Sequence, residues 1–166
     1  MTFYCLEEFP DLPKHYVDEG LSVEYKLHNS GAYTDIRAKT SFDNSTFMAL
    51  MRAQLGDVTC MWARYRPQSI LDWHTDPGRK CSINIPIKAN LAAKTYFRKR
   101  YGGAMYDVQE VKYIMYKPTV LDVTKPHCVF NGCDEERIIL SISPIKATFI
   151  EAVEFLRGMN ESGFRY

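Results

Sequence analysis

Apolar and polar positions change their spacing along the chain, and the change predicts where strands give way to helices. From residue 58 onward, short β-prone runs are broken repeatedly by Pro, Gly and Asn, which gives candidate strands at 58–65, 69–73, 82–87, 95–100, 111–116, 120–123 and 138–142. The intervening Arg66-Pro67, Asp76-Pro77-Gly78, Gly102-Gly103 and Asn131-Gly132 are turn material. Strands this short and closely spaced predict an antiparallel sandwich or barrel rather than βαβ units. Helical spacing occurs at Phe47, Leu50, Met51 and Leu55, after Asp43-Asn44-Ser45-Thr46, which can cap, and before Gly56, which can stop the helix. It recurs in 147–156, where Phe149, Val153 and Leu156 share a face. The opening, with Pro10 and Pro13, reads as irregular structure leading into a strand near 21–27. A second strand-like run over 33–40 follows the turn signal Asn29-Ser30-Gly31. The expected fold is mainly β with one or two flanking helices, in one domain without repeats or linkers.

Composition narrows the class. With 166 residues, 46% hydrophobic and 13% aromatic, the chain can bury a sizeable core and is unlike a disordered sequence. The 21 basic and 20 acidic residues supply no global field to gather nucleic acid or an anionic membrane. Cys5, Cys60, Cys81, Cys128 and Cys133 contain no C-x-x-C pair, which argues against a disulfide framework or a zinc ribbon. No secretory leader and no run of about 20 apolar residues stands out, so a reduced, soluble, cytoplasmic protein is expected.

Only four histidines need weighing. His15 and His28 have no suggestive neighbours, whereas His74-Thr75-Asp76 places an imidazole and a carboxylate two residues apart. In an extended segment such residues point to the same side and can meet one ion. His127, far downstream after Thr124-Lys125-Pro126, is a candidate third ligand. Two His and one Asp form a facial triad suited to Fe(II), which leaves positions open for a co-substrate and oxygen. A structural zinc would want four closed ligands.

The segment Arg64-Tyr65-Arg66-Pro67 … Trp73-His74-Thr75-Asp76 resembles the Fe(II)/2-oxoglutarate-dependent oxygenase superfamily. In the prolyl-hydroxylase pattern of that superfamily a Tyr precedes the H-x-D histidine by nine residues, as Tyr65 precedes His74. The later His127-Cys128-Val129-Phe130-Asn131 … Glu136-Arg137-Ile138-Ile139-Leu140-Ser141-Ile142 resembles the second half of the signature and is similar to the aspartyl/asparaginyl β-hydroxylase branch. The similarity covers about 58–143. It implies a double-stranded β-helix, the cupin-like jelly roll. It also implies iron on His74, Asp76 and His127, with Arg137 pairing with the distal carboxylate of 2-oxoglutarate and Tyr65 donating a hydrogen bond to it. Asn131 is a weaker candidate for the site lining, and reads equally as a turn residue. The implied reaction consumes 2-oxoglutarate and O2, releases succinate and CO2, and hydroxylates a substrate.

Each assignment has a plainer counterpart. Tyr65 is one of 11 tyrosines and could be an ordinary strand residue, while Arg137 follows Asp134, Glu135 and Glu136 and could be a surface cation. Yet Arg137 opens a very apolar strand, where an inward guanidinium would need a carboxylate. For the substrate, the basic, aromatic 94–101 segment with Arg98 and Arg100 could overhang the site mouth or form a solvated hairpin. Trp73 could line a substrate pocket or fill the core. An amino-acid, peptide or protein side chain is the favoured substrate; prolyl hydroxylation stays open, and nucleotide or nucleic acid is less favoured. Two further classes compete: a metal-binding jelly-roll sensor without turnover, and a metal-assisted hydrolase, which would want a second ligand cluster.

Overall fold

Two antiparallel sheets and a layer of helices organise the residues that the computed structural model describes, 1–27, 36–89, 92–101 and 105–166. In chain order the strands are β1 (Phe3–Cys5), β2 (Lys26–Leu27), β3 (Ile36–Ala38), β4 (Val58–Tyr65), β5 (Ser69–His74) and β6 (Ser82–Lys88). They continue with β7 (Ala93–Tyr101), β8 (Met105–Glu110), β9 (Thr119–Leu121), β10 (His127–Asn131) and β11 (Arg137–Pro144). The larger sheet runs β1-β9-β6-β11-β4-β3-β2 and the smaller β5-β10-β7-β8. This is a jelly roll, as expected.

β11 shows how the layers arise. Its alternate residues Ile138, Leu140 and Ile142 join Trp62, Ile83 and Ile85 in the core beneath the helices. Arg137, Ile139 and Ser141 face the other way, into the space between the sheets. β6 repeats the division, with Ile83, Ile85 and Ile87 outward to the helices and Ser82 and Asn84 inward.

Three helices cover the apolar face: α1 (Lys14–Ser22), α2 (Thr46–Leu55) and α3 (Phe149–Glu161). Ser45 caps α2 by accepting from Met48 N at 3.2 Å, and Gly56 ends it at φ 78°. Thr148 and Glu151 form a capping box at the start of α3.

α1 departs from the expected irregular opening. Pro13 precedes its first turn, and Tyr16, Val17 and the buried Gly20 form its core-facing side. The approach is close: a Cβ on Gly20 would lie 2.5 Å from Ile87 Cδ1 and 2.8 Å from the Trp62 ring. Periodicity understated this helix because its contact residue is a glycine. The expected strand near 21–27 shrinks to β2.

Other differences are equally physical. The 111–116 segment is not a strand: Val111 N closes onto Thr95 O, and the chain then turns through Tyr116 at φ 66°. The strand lies just upstream, as β8, whose apolar Tyr106 and Val108 are exposed. β10 is likewise an addition, and the 94–101 run lies within β7, paired on both sides. Of the expected 33–40 run, β3 is strand, while 33–35, the Asn29-Ser30-Gly31 turn, His28 and Gly102-Gly103 lie outside the described residues. Among the described residues no helix is long and apolar enough to cross a membrane.

Candidate functional site

The polar inner faces of the two sheets enclose a cavity of about 90 Å³, and most of the residues singled out by sequence line it. His74 ends β5, His127 opens β10, and the two are register partners. Their ring centroids lie 4.3 Å apart. Asp76 follows in the loop after β5, its amide held by Val123 O at 3.1 Å. Asp76 Oδ1 is 3.5 Å from His74 Nε2, and one ligand atom from each of His74, Asp76 and His127 falls within 4.8 Å of the others.

A bulge aims His74 inward. Leu71 pairs with Val129 and His74 with His127, so Asp72 and Trp73 together oppose the single Cys128. Strict alternation would send Leu71 and His74 to opposite faces; the extra residue brings both into the cavity.

The ring tautomers are set by backbone. His74 Nδ1 lies 2.6 Å from Asp72 O, and His127 Nδ1 lies 3.0 Å from Lys125 O. Carbonyl oxygens only accept, so each Nδ1 carries a proton, and Nε2 is the nitrogen each ring can offer to a metal. Burial holds His127 below its ordinary pKa, against the opposing Lys125 carbonyl, which favours the neutral ring a metal requires.

Arg79 completes this end of the cavity. Its Nε and Nη2 donate to Asp76 Oδ2 at 2.9 and 2.6 Å, while Nη1 donates to Ser143 Oγ on β11. One carboxylate oxygen is thus neutralised and fixed while the other faces His74. Arg79 is missing from the residues that sequence singles out, although the turn that delivers it is legible there. Asp76-Pro77-Gly78-Arg79 carries Pro second and Gly third, and Gly78 has φ 85°, as a type II turn requires.

Deeper in the cavity sits Arg137, 1% exposed. Nη1 donates to Thr95 Oγ1 at 3.0 Å and Lys94 O at 3.3 Å, and Nε has no partner. Among the described residues no carboxylate pairs with it. Its guanidinium carbon is 5.6 Å from the centroid of Tyr65, its register partner on β4, and 4.9 Å from that of Tyr113. A buried cation whose hydrogen-bond partners are all neutral, with an orphaned N–H beside a cavity, favours an anion there. That donor set fits a carboxylate, and the His-Asp-His set fits a divalent cation.

Three other residues lie apart from the cavity. Asn131 is fully buried, and its amide donates to Arg66 O at 2.8 Å, Glu135 O at 2.9 Å and Tyr65 O at 3.3 Å. It ties the end of β10 to the end of β4 and to the loops at Arg66 and Glu135 instead of lining the cavity. Trp73 and Arg98 stack on the outer side of the smaller sheet, the guanidinium carbon 4.8 Å from the Trp73 ring and 5.2 Å from that of Tyr106. The bulge that turns His74 inward leaves Trp73 outward, and Arg98 follows the inward Phe97 by one residue. Arg100 belongs to β7, but its side chain lies outside the described residues.

The helix-covered jelly roll is the fold of the 2-oxoglutarate-Fe(II) oxygenases. A Pseudomonas putida prolyl-4-hydroxylase superposes with a TM-score of 0.63 at 15% identity, over 88% of this chain and 93% of that one. A Trichoplax adhaerens prolyl hydroxylase, solved with a hypoxia inducible factor peptide fragment, gives 0.61 at 14% identity over 95% and 86%. A Burkholderia pseudomallei oxidoreductase of the 2OG-Fe(II) oxygenase family gives 0.58 at 12% over 89% and 88%. Compared by sequence, the chain matches no family model and no curated protein.

Proposed function

We propose that this chain is an Fe(II)- and 2-oxoglutarate-dependent dioxygenase that hydroxylates an amino-acid or protein side chain, with succinate and CO2 as co-products. One observation carries the proposal: Arg137, buried and without a carboxylate partner among the described residues, faces the same cavity as His74, Asp76 and His127. A metal-binding module accounts for the three ligand residues but gives no reason to bury an unpaired guanidinium beside them. A hydrolase with two metals lacks a second ligand cluster among the described residues.

His74, Asp76 and His127 would hold the iron, and Arg137 with Tyr65 would hold the distal carboxylate of 2-oxoglutarate. When bound, iron and co-substrate together supply the oxidising power that inserts oxygen into a C–H bond. The chain's own residues do the positioning. The Asp72 and Lys125 carbonyls orient the two rings, Arg79 fixes the Asp76 carboxylate, and Thr95 fixes Arg137. Leu71, Val129 and Ile139 supply apolar wall, which limits water around the charged groups and strengthens their attraction. A peptide substrate is supported by the peptide bound to the Trichoplax neighbour.

The test is anaerobic titration of 2-oxoglutarate into the Fe(II)-loaded protein, followed by succinate measurement in air with a panel of peptides and amino acids. Saturable binding that His74→Ala abolishes, together with peptide-stimulated succinate release, is expected. Absence of 2-oxoglutarate binding overturns the proposal.

A further inference from the structure

Arg137 faces two cavities, not one. It lines the inner cavity and also a more open pocket of about 370 Å³ on the side of Lys94, Glu110 and Lys112. Tyr113, from the irregular segment after β8, stands where the two approach each other. Its ring lines the outer pocket and lies 4.9 Å from the Arg137 guanidinium carbon. Its hydroxyl reaches the inner wall, accepting from Asn84 Nδ2 at 3.4 Å and donating to Thr95 Oγ1 at 3.4 Å. Asn84 and Thr95 line the inner cavity, and Thr95 also holds Arg137.

From this arrangement we infer that Tyr113 is a specificity-determining wall that sets the greatest chain length of 2-oxo diacid the site accepts. The inference rests on the proposed pairing of Arg137 with the distal carboxylate. A diacid anchored at the metal by its 2-oxo acid end and at Arg137 by its far end has a fixed span. One more methylene drives the far carboxylate past the guanidinium toward the phenol ring. That ring is packed on the buried Arg137 guanidinium, so it cannot yield cheaply. Removing it joins the inner cavity to the outer pocket and gives the longer chain somewhere to go.

Anaerobic calorimetric titrations of the Fe(II)-loaded protein with 2-oxoglutarate and with 2-oxoadipate, one methylene longer, test this directly. Wild type should favour 2-oxoglutarate by about tenfold or more, the usual discrimination a close-fitting pocket achieves over one methylene. Tyr113→Phe keeps the wall and should keep that ratio. Tyr113→Ala should lower it by about tenfold, bringing the two diacids close to parity. Tyr113→Leu, which shortens the wall but keeps apolar contact on Arg137, should also lower it and takes the place of the alanine variant if that fails to fold. An unchanged ratio in the shortened variants, with 2-oxoglutarate still binding, refutes the wall but leaves the co-substrate proposal standing. Equal binding of both diacids by wild type refutes it as well. If wild type binds neither diacid, the co-substrate proposal falls, and the inference falls with it.

Discussion

The two faces of the larger sheet are built on opposite terms although they share the same strands. The helix side of β11 and β6 carries Ile138, Leu140, Ile142, Ile83 and Ile85, packed with Trp62 and the aromatic residues Phe9, Phe42 and Phe47. The cavity side carries Arg137, Ser141, Ser82 and Asn84, with Ile139 and Leu121 as its apolar members. Stability comes from the first face through apolar burial, while the second keeps polar groups buried at a cost. What differs is therefore the sign of a substitution: removing bulk harms one face, and removing charge harms only binding at the other.

The sharpest test lies on the helix side. Trp62→Ala removes a fully buried ring and should lower unfolding free energy by about 3–5 kcal/mol, measured by urea denaturation of the metal-free protein. On the cavity side, Arg137→Met should weaken 2-oxoglutarate binding by about 2–5 kcal/mol without lowering metal-free stability, since an apolar side chain of similar length replaces an unpaired buried charge. A fall in stability comparable to that of Trp62→Ala would erase the distinction between the faces.

Arg79→Gln probes the metal end. Loss of the guanidinium that fixes Asp76 Oδ2 should weaken Fe(II) or Mn(II) affinity by roughly 10- to 100-fold, read from metal titrations, with little change in the metal-free melt. Tyr65→Phe removes one neutral donor, so its effect on 2-oxoglutarate affinity should be about 0.5–1.5 kcal/mol. An effect as large as that of Arg137→Met would make Tyr65 the principal anchor.

The smallest effect is a pH dependence on the helix side. Glu19 accepts from Ser41 N at 2.8 Å and Trp62 Nε1 at 3.2 Å. Burial pushes its carboxyl up, but the donors from Ser41, Trp62 and Thr40 together outweigh it and hold the group below its ordinary 4.5. A lowered carboxylate means that the unfolded chain binds the proton more readily. Its stabilisation is therefore complete above about pH 4.5 and is lost as pH falls through the lowered value. The stability gap between wild type and Glu19→Gln should be flat above that pH and shrink below it; a gap that widens on acidification contradicts the assignment.

Much of the β architecture, two of the three helices and the principal residues of the site were legible in the sequence. Turn chemistry and the alternation of Ile with Ser, Asn or Arg are local signals, set by backbone geometry within a few residues, and they survive any packing. The spacing of Tyr65, His74, Asp76, His127 and Arg137 is linear information of the same kind. Direction was not legible. His74 points inward only because Asp72 and Trp73 share one partner residue on β10, a register decision made between strands. The same bulge places Trp73 outside against Arg98, and Asn131 is consumed by carbonyls that only folding brings to it. α1 needed Gly20 to meet Trp62, and Tyr113 needed Arg137 beneath it, before either had a role. The sequence alone determined which chemical groups the protein owns and how far apart they lie along the chain. Which cavity they share was decided by strand register and close packing, because both depend on partners distant in sequence.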